Sequence, residues 1–175
     1  MKKIIPVLLM LVFLSACGME LKSSLPEHIK NIAIPTFTNK TMKYGIETKL
    51  TDAVIRQFLV DGRLSVVDKD KADAVLEGVI SRYLLEPMAY DANNVVIQYR
   101  LKMVIDIKLL DVKENKILWV QEQVGGITGG STTFYVSGTT GFVETIETEY
   151  DAQSRVFDKV ASDIVNRTIY GWENY

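Results

Sequence analysis

The sequence predicts an α+β fold in two layers: two amphipathic helices on one face of a mostly antiparallel, mixed sheet of four to five strands, in the order β-α-β-β-β-β-α. Three observations carry this expectation. Apolar residues recur at helical spacing from Tyr44 to Val60 and again from Glu149 to Tyr170. Between these stretches, Val95 to Leu110 places apolar residues at every second position with Gln98, Arg100, Lys102, Asp106 and Lys108 between them, the mark of a strand with one buried and one wet face. Two helical stripes cover one face of such a sheet and no more, so the second face is left to water or to a partner.

The elements follow in order. Asn31 to Pro35 reads as a short strand with Ile32 and Ile34 on one face and Pro35 at its end, and a turn runs through Thr38 to Thr41. In the first helix Ile46, Leu50, Ala53, Val54, Ile55, Phe58 and Leu59 lie opposite Lys49, Asp52, Arg56 and Gln57, and Asp61-Gly62 closes it. Leu64 to Val67 is a second short strand, and Asp68 to Asp73 a polar connection. Ala74 to Leu85, Val95 to Leu110 and Ile117 to Val124 then form three consecutive antiparallel strands, with Lys113 to Lys116 the right length for the second hairpin turn. Gly125 to Gly141 is rich in Gly, Ser and Thr and bears no charge, which predicts a long polar loop or a flexible hairpin. The last helix aligns Ala152, Val156, Val160, Ala161, Ile164 and Thr168, and Gly171 ends it.

The N-terminus carries an export signal. Lys2 and Lys3 precede an apolar run, Ile4 to Leu14, too short for a helix that must cross a ~30 Å hydrocarbon core. Leu14-Ser15-Ala16-Cys17 resembles the lipobox of bacterial lipoproteins, which implies cleavage between Ala16 and Cys17 and acylation of Cys17. One acyl chain binds membranes only marginally, whereas three anchor firmly. Gly18, in place of the aspartate of an inner-membrane retention signal, points to the outer membrane. The expected organisation is a signal peptide at 1–16, a lipidated tether at 17–28 containing Ser23, Ser24 and Pro26, and one domain at 29–175.

Charge and side-chain inventory exclude several functions. With 20 basic and 22 acidic residues the chain is not built to neutralise nucleic-acid phosphates, so no nucleic-acid partner is expected. A single His28 and a single Cys17 supply neither a zinc cage nor an intramolecular disulfide. His28 falls in the tether, so a Ser-His-Asp triad is not expected. Asp68, Asp70 and Asp73 are spaced loosely like calcium ligands but lack the glycine and terminal glutamate of that loop, so a solvated turn is expected. The glycines at 125–130 lack the lysine and hydroxyl of a phosphate loop. No acid pair flanks a recognisable cleft. The expectation is therefore no catalytic residue, no metal and no cofactor. The best binding candidates are Arg100, Lys102 and Lys108, about 7 Å apart along one strand face, with Arg82 joining them if the neighbouring strand aligns; together they could pair with an anionic glycolipid, although Asp106 shares the row.

Read as text, several stretches resemble one family. Ser24 to Lys30, Ile32 to Thr41, Ala72 to Ile80, Gln98 to Leu101, Asp106 to Asp111, Ile117 to Trp119 and Gly171-Trp172 occur in the order and spacing of the LptE family, outer-membrane lipoproteins of lipopolysaccharide assembly. The resemblance implies a non-enzymatic protein with two helices on a four-stranded sheet, lipid-anchored at the periplasmic face of the outer membrane. It also implies a seat inside an LptD-like β-barrel and lipopolysaccharide as the transferred cargo. Phe134 and Tyr135, in the chargeless segment, are the expected barrel contacts. The opening strand, the turn Phe37 to Thr41 and the first helix also resemble the CsgG and LpoB type of periplasmic lipoprotein, a secretion-pore component or cell-wall synthase activator.

Overall fold

A computed structural model of the chain describes residues 25–124, 131–135 and 148–171. The signal peptide, Cys17, the loop residues 125–130 and 136–141 and Trp172 lie outside the described residues. The elements are β1 (Asn31–Ala33), β2 (Thr38–Asn39), α1 (Ile46–Asp61), β3 (Ser65–Val66), a 3-10 turn (Lys69–Lys71), β4 (Ala74–Tyr90), β5 (Val96–Asp111), β6 (Lys116–Val124), β7 (Ser131–Tyr135) and α2 (Glu149–Tyr170). The fold is the expected α+β arrangement, two helices on a mixed sheet.

Strand order is β3-β1-β4-β5-β6, with β2 also pairing β4 and β7 also pairing β5. β1 and β2 thus follow one another along one edge of β4, both parallel to it, while β6 and β7 share the far edge of β5, both antiparallel. Two short strands add to the expected order. Thr38 and Asn39, expected in a turn, align with Val79 and Ile80, and Ser131 to Tyr135, expected in a loop or flexible hairpin, align with Gln98 to Lys102. β4 also runs past its expected end at Leu85 to Tyr90, because a register shift next to Pro87 absorbs the residue that cannot donate to the ladder.

Alternation decides which face is covered. Leu101, Met103, Ile105, Ile107 and Leu109 of β5 are buried, as are Leu76 and Ile80 of β4. They pack with Leu50, Val54 and Phe58 of α1 and Val160, Ala161 and Ile164 of α2 in one core. Each large side chain moved fully out of water contributes about 1.5–3 kcal/mol before the entropy of ordering is subtracted. Gly78 lies on this face where no side chain fits, since a Cβ there would stand 2.7 Å from the Phe37 ring.

The helices begin and end where the chain chemistry dictates. α2 opens on a capping box, the Asp151 amide donating to Thr148 Oγ1 and the Thr148 amide to Asp151 Oδ2, both at 3.2 Å. α1 closes at Gly62, whose φ of 73° is left-handed and whose amide donates to the Phe58 carbonyl at 3.0 Å.

The N-terminal segment is seated on the domain. Leu25 packs against the core, and His28 Nε2 donates to Asp111 Oδ2 at 2.7 Å. Asp73 accepts from the amides of Lys30 and Asn31 and from Asn31 Nδ2. Ala74 and Asp111 face each other across β4 and β5, so the chain enters the domain at the opposite end of the sheet from the β4–β5 turn.

Candidate ligand-binding face

The face left bare by the helices is built from the positions that alternate with the core. On β5 these are Arg100, Lys102, Val104, Asp106 and Lys108, all partly exposed. On β4 the outward parity begins with Glu77 and Val79. A bulge at Ser81 then shifts the phase by one, so that Arg82 pairs with Val104, Leu84 with Lys102 and Glu86 with Arg100. Without that extra residue Arg82 would point at the helices. The bulge therefore brings Arg82 onto the same face as the other three predicted cations.

Ion pairs split that basic row. Lys108 lies across from Glu77, its Nζ 2.6 Å from Oε2, and Lys102 Nζ is 2.8 Å from Glu86 Oε2. Arg82 and Arg100 have no ion pair among the described residues, although Arg100 stands directly across from Glu86. Lys40, absent from the sequence reading, joins them. Its amide donates to the Ile80 carbonyl at 3.0 Å, extending the β2–β4 ladder, and its side chain lies beside Ser81 and Arg82. The motif carrying it, Phe37 to Thr41, was visible, but its docking on β4 was not. There Asn39 Oδ1 accepts from the Thr41 amide and hydroxyl while Asn39 Nδ2 donates to the Lys43 carbonyl and Glu47.

Two depressions meet at Lys40 and Arg82. One, of about 570 Å³, lies on the open sheet and mixes Lys40, Arg82 and Lys108 with Glu77, Asp106 and Glu122. The other, of about 530 Å³, runs beside β4 past the end of β2, lined by Lys40, Lys43, Arg82 and Glu149 and by Met42, Leu84 and Leu85. Its floor is a polar network: the Tyr83 hydroxyl donates to Glu149 Oε1 at 2.6 Å, Gln153 Nε2 donates to the Tyr83 oxygen at 2.7 Å, and Lys43 Nζ lies 3.0 Å from Glu149. Burial pushes the Glu149 carboxyl up, but the Tyr83 and Lys43 contacts outweigh it and leave it below its ordinary value. Burial, with the Glu149 hydrogen bond, pushes the Tyr83 phenol up, so it stays a donor at any physiological pH.

Other predicted positions resolve differently. Phe134 and Tyr135 align with Tyr99 and Gln98 in β7, and their side chains lie outside the described atoms. Asp68 and Asp70 are exposed, whereas Asp73 holds the entry segment. His28, Asp111 and Glu114 bring donor atoms within 4.8 Å of one another, a grouping the sequence did not suggest because 83 residues separate His28 from Asp111. Both Asp111 oxygens already accept hydrogen bonds, one from His28 and one from the Glu114 amide.

Fold and face together define a small two-layer module whose described residues present a charged sheet surface on a helix-backed core. The family model described as LptE, lipopolysaccharide-assembly, matches residues 29–168, and the chain belongs to that family. Protein XCC0632 from Xanthomonas campestris has a similar structure, with a TM-score of 0.52 and 14% identity over 83% of this chain and 86% of that one. A PelC dodecamer subunit from Paraburkholderia phytofirmans is similar at a TM-score of 0.50 and 11% identity, covering 82% of this chain and 92% of that one. These likenesses are of fold alone. Comparison with curated protein sequences gives no match. No helix among the described residues is long and apolar enough to cross a membrane.

Proposed function

We propose that the protein is an outer-membrane lipoprotein, cleaved between Ala16 and Cys17 and acylated on Cys17, that seats in an LptD-like β-barrel and assists lipopolysaccharide assembly without catalysing a reaction. The observation that carries this reading is the family match over residues 29–168 on a fold whose second sheet face is uncovered among the described residues and carries Arg82 and Arg100. The segment bearing Phe134 and Tyr135 meets the barrel wall, where a chargeless stretch avoids the cost of desolvating ions. Arg82 and Arg100, with Lys102 and Lys108 in the same row, face the anionic cargo.

The test is affinity isolation of the tagged, lipidated protein from membranes. A large β-barrel should co-purify, crosslinkers at Phe134 or Tyr135 should capture it, and depletion of the protein should lower surface lipopolysaccharide. Recovery of a ring of the chain alone, or of a penicillin-binding protein, would instead support the CsgG or LpoB type. Palmitate that labels the wild type and a Cys17→Ser variant equally would remove the anchor from the account.

A further inference from the structure

The geometry points to a specific amphiphile site in the groove beside β4: one phosphate group held by Lys40 and Arg82, and the first methylenes of its acyl chain laid along Met42, Leu84 and Leu85. This deepens the lipopolysaccharide-assembly reading and rests on it, placing at the Arg82 end of the open sheet row a site that Lys40 completes. Three observations converge.

The first is charge. Lys40, Lys43 and Arg82 reach the groove from two separate segments, and its one carboxylate, Glu149, is already engaged by Tyr83, Gln153 and Lys43. Lys40 and Arg82 are exposed, and neither has an ion pair among the described residues. Charge-assisted hydrogen bonds to phosphate oxygens satisfy both.

The second is apolar exposure. Met42 is 87% exposed, Leu84 42% and Leu85 39%. A purely ionic ligand leaves that surface wet, and a purely apolar one leaves the cations unused. The combination fits a molecule with an anionic head and a hydrocarbon chain.

The third is shape. β2 stops at Asn39, so among the described residues no strand covers the edge of β4 from Ser81 onward, and the turn from Lys40 to Lys43 walls the gap. The depression, about 530 Å³, is shallow and open to solvent, so a chain laid along it keeps one side wet.

Photolabelling tests the site. The full mature chain in dodecyl maltoside is exposed to an alkyl phosphate with a diazirine in its chain and, separately, to the matching alkyl alcohol, and adducts are mapped by peptide mass spectrometry. The phosphate probe should label peptides carrying Met42 or Leu84-Leu85 in preference to the alcohol. A Lys40→Gln/Arg82→Gln variant should lose about tenfold of that labelling, the scale of one lost hydrogen bond to a charged group. A Lys113→Gln/Lys116→Gln variant at the other end of the sheet should keep it, and thermal denaturation should find all three proteins equally folded. Equal labelling by both probes, or retention in the first variant, overturns the site. Displacement by an equal concentration of inorganic phosphate reduces it to a free-anion site, and labelling that needs phosphatidylglycerol vesicles makes it a bilayer contact; either result overturns the proposal too. Loss here with the barrel still recovered by affinity isolation sinks the groove alone, and labelling without a barrel sinks only the function proposed above.

Discussion

Asp111 shows how much one side chain holds. It is fully buried, yet its two oxygens take His28 and the Glu114 amide, while Asp73 one strand away takes three donors from Lys30 and Asn31. Backbone donors hold both carboxyls below their ordinary value of 3.8: the Glu114 amide at Asp111, with burial opposing and His28 assisting, and the Lys30 and Asn31 amides at Asp73. A depressed carboxyl stabilises the fold above its unfolded value and loses that contribution as pH falls through the folded value. Urea midpoints should therefore be level from neutral pH to about 5 and fall below about 4, near the unfolded carboxylate value. Asp111→Asn should cost roughly 1–3 kcal/mol at neutral pH, because a buried acceptor pair loses its charge and one partner, and hydrogen exchange should find the Glu114 amide, which donates to Asp111, exchanging faster. At Gly78 the constraint is steric. Gly78→Ala forces the Phe37 ring aside and should destabilise by about 1–3 kcal/mol in the same urea series; an unchanged midpoint would mean the ring moves freely.

At the scale of elements, devices one residue long decide the outcome. Thr148→Ala removes half of the α2 capping box and should cost about 1 kcal/mol, read as a lower melting temperature. Deleting Ser81 is a stronger test. It removes the bulge, so either Arg82 turns onto the helix-facing side or the rest of β4 slips by one against β5. An unpaired charge in that core costs roughly 3–5 kcal/mol, enough to leave the protein unfolded or aggregated on expression. Regular elements were legible because their pattern is self-reporting: β5 alternates in burial from Arg100 to Asp111, and both helices end at glycines as expected. The bulge left only a phase break, Leu76, Gly78 and Ile80 followed by Tyr83 and Leu85, which an imperfect strand also shows. β2 and β7 were not legible as strands, since Thr-Asn and Ser-Thr-Thr have turn chemistry and gain their conformation by docking on β4 and β5.

Across the whole molecule, the parts of the candidate face that could be read were those carried by one strand. Arg100, Lys102 and Lys108 follow from period two, whereas their neutralisation by Glu86 and Glu77, and the arrival of Lys40 beside Arg82, depend on how distant segments are registered. That register makes the four predicted cations unequal. Lys102 and Lys108 lie in cross-strand pairs on a partly exposed surface, each pair worth about 0.2–1 kcal/mol, and a ligand must compete with Glu86 and Glu77 to use them. Arg82 has no such partner among the described residues, and Arg100 stands directly across from Glu86, whose carboxylate Lys102 holds. Charge reversal at Arg82 and Arg100 together should therefore abolish capture of lipopolysaccharide by the immobilised protein and remove its salt dependence, because those two side chains supply the unpaired charge of the row. Reversal at Lys102 and Lys108 should weaken capture less and lower stability slightly, since it breaks their ion pairs and sets like charges beside Glu86 and Glu77. Side-by-side pull-downs at low and high salt separate the two sets, and equal losses from both would mean that the whole row acts as one diffuse field and the ion pairs do not partition it.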